Sequence, residues 1–389
     1  MPWALIGAAC LGSFAATSSG TTRAPFLLEM AHDLHVSMPL VANLVSMTAT
    51  AWGITSALGG YLSHRFGRRP ILIAAPFALA FAMVAQAFAS DFFGVAVWAS
   101  IAGGCAGMFT GVVYAEVSGR VDDGQRGRAL GWVMSGQSLT LVVGVPMAAW
   151  IGSMIGWRGW NLCVGGLAIA AGLSLLATVS RGPSAASRKV TRTSMRAALS
   201  PQVLSLLGTG VAERVCYGLA AVYYATFLQE VYGLSLTAIA IPLLLFALGN
   251  VLGTVLGGQI ADRVRDRLLT FAVAMGASGF AALALFTWHP NPATSVGLGF
   301  IYVLLNALGR PSFMAALAAV PDNVRGTVLG LNGTSASVGW IGAAALGAVM
   351  ISTVGIEGFG PLGAVLGLLA ALGALWSRRS VYRVNSTLG

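Results

Sequence analysis

Gly59-Gly60-Tyr61-Leu62-Ser63-His64-Arg65-Phe66-Gly67-Arg68-Arg69 is a glycine-rich, basic stretch set between two long apolar runs. Its first seven residues have an echo 198 positions later, in Gly257-Gly258-Gln259-Ile260-Ala261-Asp262-Arg263. A second pair lies at an offset of 199: Asp123-Gly124-Gln125-Arg126-Gly127-Arg128-Ala129-Leu130-Gly131 and Asp322-Asn323-Val324-Arg325-Gly326-Thr327-Val328-Leu329-Gly330. Two matches at nearly one offset mark an internal repeat. The basic stretch 181–200, rich in Ser, Arg and Ala, reads as the linker between its halves.

The composition says what surrounds these halves. Of 389 residues, 57% are hydrophobic and only 9% charged, where a soluble domain carries about 25%. So few charges cannot cover a water-exposed surface, which excludes a soluble enzyme. The apolar character excludes disorder as well. A helix crossing the bilayer needs about 20 apolar residues. Twelve such runs are present, at about 3–28, 38–63, 70–90, 92–117, 128–155, 159–180, 201–228, 236–260, 269–288, 295–319, 326–352 and 358–377.

The net charge of +10 might suggest nucleic acid, but the placement of the charges points to topology instead. Eighteen of the 22 Lys and Arg residues lie in even-numbered connections or the tail, all on one side of the membrane. The positive-inside rule makes that side cytoplasmic and puts both termini there. The expected fold is all-α and polytopic, with two six-helix bundles related by a parallel pseudo-two-fold repeat. Residues 1–180 form the first bundle, 181–200 the cytoplasmic linker, 201–377 the second bundle and 378–389 a cytoplasmic tail.

At 60–69 the chain resembles the major facilitator superfamily, whose loop signature is G-x-L-x-D-R-x-G-R-R/K. Here Gly60, Arg65, Gly67 and Arg68 keep the pattern and His64 stands at the acidic position, while Asp262 and Arg263 keep the acid and base in the second half. The resemblance implies alternating access, a central cavity lined by helices 1, 4, 7 and 10, and a latch at these residues that holds the outward-open state. Gly136, Gly144-Val145-Pro146, Gly152 and Gly156 in helix 5 look like the glycine/proline signature of the drug:proton antiporter and sugar-efflux branch, with a kink at Gly144 and Pro146. Helix 4 departs from that branch: 98–104 carries no charge, so the proton relay attributed to the branch's helix 4 arginine is not carried over.

No enzyme signature is present. The four histidines are scattered and no phosphate-binding G-x-x-x-x-G-K-[ST] occurs, so no cofactor and no ATP are expected, and the proton gradient is the expected energy source. Cys10, Cys105, Cys163 and Cys216 lack metal-ligand spacing and read as small buried hydrophobes.

Intramembrane charges are the informative residues, because each is costly in lipid and faces a cavity or a partner. Glu213 and Arg214 fall mid-span in helix 7, Arg310 mid-span in helix 10 ahead of Pro311, and Arg23 in the outer half of helix 1. Glu213 is the proton-coupling candidate. Arg310, Arg23 and Arg214 are substrate-binding candidates, with Asn306, Tyr217, Asn332, Gln137 and Trp340 as further polar or aromatic contacts. A bridge of Glu213 to Arg310 or Arg214 that merely holds helices together is the alternative. Glu29, Glu116 and Glu230 lie at span ends and are expected to be hydrated.

Three arginines against one glutamate favour an anionic small molecule. The expected function is a secondary transporter working as a proton-coupled exporter in a bacterial-type inner membrane. Its expected partners are a small-molecule substrate and membrane lipids, without nucleic acid, and it is expected to be a monomer. Proton-coupled import of an organic anion is the second reading, and a non-transporting sensor or scaffold the remote third.

Overall fold

The structure is a computed structural model and describes residues 2–122, 125–179, 201–264, 266–317, 319 and 322–386. Among the described residues it is entirely helical, without a strand. α1 spans Trp3–Thr21 and is followed by a 3₁₀ turn, Ala24–Phe26, and a short helix, Leu27–Asp33. The expected single helix over 3–28 is therefore broken. Pro25 has no N–H and its ring would clash with the carbonyl four residues back, at Thr21, where α1 stops.

A short helix, Met38–Ala42, leads into α2, Leu44–Phe66. α2 ends at Gly67, whose φ of 84° suits glycine, and α3, Arg68–Phe88, starts at the next residue. The signature glycine is thus the corner between two helices. α4, Phe92–Ser118, is capped by Asp91, whose carboxylate accepts from Gly94 N at 2.7 Å.

α5 runs from Arg126–Leu139 through a π-helical turn, Thr140–Gly144, into Val145–Thr178. Gly156, at φ 69°, interrupts this last helix, so residues after it form a separate span, α6. α7 is Pro201–Tyr232, α8 Leu236–Arg263, α9 Arg267–Thr287, α10 Pro292–Leu317, α11 Asp322–Thr353 and α12 Phe359–Ser386. α12 continues well beyond the boundary expected at 377. α10 runs unbroken through Pro311.

Nine stretches among the described residues are long and apolar enough to cross a membrane, and one of them, Arg128–Thr178, holds both α5 and α6. With α1 and α2 they make twelve spans. Their outer faces are apolar: Phe81, Phe88, Phe93, Met154, Ile241 and Phe280 are all exposed. Cys163 is also exposed, contrary to its reading as a buried residue.

The chain divides into two compact units, Met1–Ser187 with Leu234–Leu244, and Arg188–Gly233 with Leu245–Gly389. In the first, α4 presents Gly103, Gly107 and Gly111 to Thr48, Trp52 and Ser56 of α2. A Cβ on Gly111 would lie 2.6 Å from the Ser56 carbonyl oxygen, so the two backbones are in direct contact. In the second unit the same device faces the other way, with Gly249, Gly253 and Gly257 of α8 against Phe300, Leu304 and Leu308 of α10. Small residues every fourth position are how helices approach closely in lipid, where backbone packing replaces the hydrophobic effect.

Candidate functional site

α7 is the most buried of the apolar stretches. It carries Glu213 into the second unit. The Glu213 side chain is 3% exposed, and its Oε1 accepts from Arg310 Nε of α10 at 2.6 Å. Its Oε2 lies 3.4 Å from Arg214 Nε. The carboxylate thus sits between two guanidiniums from two helices.

Arg310 is held on every side. Its Nη1 donates to Asn250 Oδ1 of α8 at 2.8 Å and its Nη2 to Asn306 Oδ1 at 2.9 Å, one helical turn back on α10. The Tyr217 ring lies 4.2 Å from the guanidinium carbon, a cation–π contact. Asn250 Nδ2 donates to the Tyr217 hydroxyl at 3.3 Å, and Trp340 of α11 packs edge-on to Tyr217, their centroids 5.8 Å apart.

Arg310 therefore has each of its three nitrogens engaged, whereas the Arg214 side chain is 29% exposed and its Nε lies 3.4 Å from the carboxylate. Two guanidiniums share one carboxylate, leaving one positive charge uncompensated. Asn306 and Tyr217 are buried; the Asn306 Oδ1 accepts from Arg310, its Nδ2 donates to Met275 Sδ, and the Tyr217 hydroxyl accepts from Asn250, so they position the arginine. The sequence reading missed Asn250. A lone amide in an apolar span is a signal of the same kind as Asn306 and would have found it.

The remaining candidates lie apart from this network. Asn332 donates to Met314 Sδ at 3.4 Å. In the first unit Gln137 Nε2 donates to the Tyr114 hydroxyl at 2.8 Å, next to the π-helical turn that precedes Pro146. Arg23 is 6% exposed and donates to Thr48 Oγ1 and to the Ser19 carbonyl, both at 3.3 Å.

At one end of this unit Glu29 Oε1 accepts from Trp157 N at 3.2 Å, and Asp33 accepts from Trp157 Nε1 and pairs with Arg158. Burial pushes the Glu29 carboxyl above the usual carboxylate range, against the pull of the Trp157 N–H and the Arg158 charge.

At the signature end Arg68 Nη1 donates to the Ala115 carbonyl at 2.8 Å, and Glu116 lies between Arg68 at 3.7 Å and Arg120 at 2.6 Å. Glu116 is 3% exposed, which corrects its reading as a hydrated residue. It is buried because two arginines neutralise it. Arg65 lies over the Phe66 ring, and Asp262 and Arg263 are exposed. The side chains of Gly60 and His64 lie outside the described residues.

The Glu213 network has no counterpart in the first half. Counting back by the repeat offset of 198 or 199, Glu213 falls on Phe14 or Ala15, Asn250 on Ala51 or Trp52, Asn306 on Gly107 or Met108, and Arg310 on Gly111 or Val112. None of these is ionisable. The packing frame is repeated and the charges are added to one copy of it.

The chain is 26% identical over 378 residues to the inner membrane transport protein YdhP of Escherichia coli O157:H7, covering 96% of this chain and 95% of that one. It is 26% identical over 313 residues to a chloramphenicol resistance protein of Streptomyces lividans, covering 76% and 79%. A solved bacterial homologue of the human lysosomal transporter Spinster, inward-facing and occupied, superposes with a TM-score of 0.78 at 15% identity over 96% of each chain. The Major Facilitator Superfamily profile matches residues 9–269 and 206–387. The chain belongs to the Major Facilitator Superfamily, a family of multi-pass membrane transporters rather than enzymes.

Proposed function

We propose that this transporter exports a small organic molecule in exchange for protons, with Glu213 as the protonation site and Arg310 as its counter-charge. The observation that carries the reading is the Glu213 carboxylate itself. It is 3% exposed and held between Arg310 and Arg214. An ionised carboxylate is costly at that depth unless cations stay beside it. Its protonation therefore depends on where the two guanidiniums are, and a carrier can change that during its cycle.

Arg310 is held by a protein group at each of its three nitrogens, so Arg214, the more exposed of the two, is the contact to substrate in this network. Export rather than import is supported by the relative named for chloramphenicol resistance. The proton gradient is the energy source in this reading. In this reading the protein sits in a bacterial-type inner membrane, and the arginine distribution supports both termini being cytoplasmic. His64, at the acidic place of the signature, weakens the first-half latch or makes it depend on pH in this scheme.

Flux in proteoliposomes tests the reading. A thermal-shift screen of the purified protein over organic anions, sugars, cationic drugs and chloramphenicol supplies the test compound. Under an imposed pH gradient an exchanger accumulates that compound on the acidic side. Accumulation on the alkaline side would make the protein a symporter, and flux indifferent to the gradient would remove proton coupling.

A further inference from the structure

Among the described residues Arg23 is the one arginine that is almost wholly buried, 6% exposed, and no carboxylate pairs with it. Arg310 and Arg214 share Glu213, Arg68 and Arg120 share Glu116, and Arg158 pairs with Asp33. Arg23 has only the Thr48 hydroxyl and the Ser19 carbonyl, each at 3.3 Å. Charge-assisted N–H···O bonds run at about 2.7–2.9 Å, so both contacts are loose. They engage two of the five donors a guanidinium carries.

The acids nearest in sequence do not pair with Arg23: Asp33 goes to Trp157 Nε1 and Arg158, and Glu29 gives Oε1 to the Trp157 N–H and keeps a buried Oε2 without a partner. The last carbonyls of α1 offset the charge only in part. Arginine cannot escape by losing its proton.

The frame around Arg23 is rigid. Trp160 Nε1 of α6 donates to Thr22 Oγ1 at 2.8 Å, fixing the residue before it. Thr48 donates to the Leu44 carbonyl at 2.7 Å, which turns a lone pair toward Arg23, and its backbone lies against Gly103 of α4. A fixed, buried cation with spare donors and weak neutral partners is what an oxyanion would complete.

We propose that Arg23 is the anion-binding position of the first unit and takes the oxygens of a carboxylate or phosphate group on the transported molecule, which makes the substrate an organic anion. The proposal rests on the transport reading for its ligand, but not on proton coupling or on direction.

The test measures binding at one pH, so that it fails separately from the exchange mechanism. The full chain is purified in detergent as wild type, Arg23→Gln and Arg23→Lys. Melting temperature and tryptophan fluorescence, to which Trp157 and Trp160 contribute, are followed against acetate, benzoate and inorganic phosphate. The neutral probes acetamide and benzamide are the controls.

The expected result is that at least one anion stabilises the wild type and its neutral partner does not. Arg23→Gln weakens that anion roughly ten- to hundred-fold, and Arg23→Lys retains part of the preference. Without ligand, Arg23→Gln should melt higher than wild type, because an uncompensated buried charge is gone. A lower melting temperature would make Arg23 a structural donor and overturn the proposal. An anion response that is absent from the wild type, or unchanged in Arg23→Gln, overturns it too. Stabilisation by phosphatidylglycerol alone, with none from the free anions, would assign the position to a lipid headgroup instead.

Discussion

A carboxylate between two guanidiniums inside a helix bundle is either a brace or a working part, and the two differ in what a second mutation does. Removing Arg310 alone leaves Glu213 buried beside an arginine that touches it only at 3.4 Å, a loss of about 3–5 kcal/mol for a broken buried pair. Arg310→Met should therefore lower the melting temperature sharply, and Glu213→Leu with Arg310→Met should recover most of the loss. If the pair is only a brace, transport recovers along with stability. If Glu213 carries the proton, stability returns and proton-driven flux stays absent.

Glu213, Arg214 and Arg310 were legible as mid-span charges, because charge in an apolar run is unmistakable. Their pairing was not, since helical periodicity gives an angle on one helix but never the neighbour that faces it. Asn250 was as legible as Asn306, a lone amide in an apolar span, and only its pairing with Arg310 was not. Glu116 was misread because a position near a span end says nothing about two arginines closing over it.

At the scale of elements, glycine and proline set most of what the apolar runs left open. The runs located the spans, while Pro25 ends α1 early and Gly67 and Gly156, at φ 84° and 69°, make the α2–α3 and α5–α6 corners. The stripes Gly103-Gly107-Gly111 and Gly249-Gly253-Gly257 stand plainly in the sequence. Only the structure shows that one sits on α4 facing α2 and the other on α8 facing α10.

These stripes support a contrast of two alanines. A Cβ at Gly107 would meet the Trp52 Cα at 2.8 Å and the Thr55 hydroxyl at 2.5 Å, so Gly107→Ala should cost about 1–3 kcal/mol as overpacking. Gly166 in α6 has nothing within 4 Å of an added Cβ, so Gly166→Ala should be neutral, or stabilising by about 0.5–1 kcal/mol. Melting temperatures of the two variants in one detergent check the difference. Equal effects would mean that backbone contact between α2 and α4 does not limit stability.

For the whole molecule, repeat and composition were enough to give an all-α protein of twelve spans, because lipid leaves the backbone few alternatives to helices. Function was less legible, since it lies in what the repeat does not copy. The packing device recurs in both units, whereas Glu213, Asn250, Asn306 and Arg310 have neutral counterparts in the first half and Arg23 stands alone there. A duplicated frame with unshared charges suits a carrier whose halves do different work, one holding the proton site and the other an anion.

The measurement that bears most directly on the central claim compares Glu213→Gln with wild type in proteoliposomes, for one substrate, in two modes. The neutral amide keeps the shape of the protonated acid and cannot release a proton. Accumulation driven by a pH gradient should vanish in Glu213→Gln, while exchange of labelled for unlabelled substrate at equal pH continues at a rate comparable to wild type. Gradient-driven accumulation at wild-type rates in Glu213→Gln would contradict the assignment of Glu213 as the proton carrier.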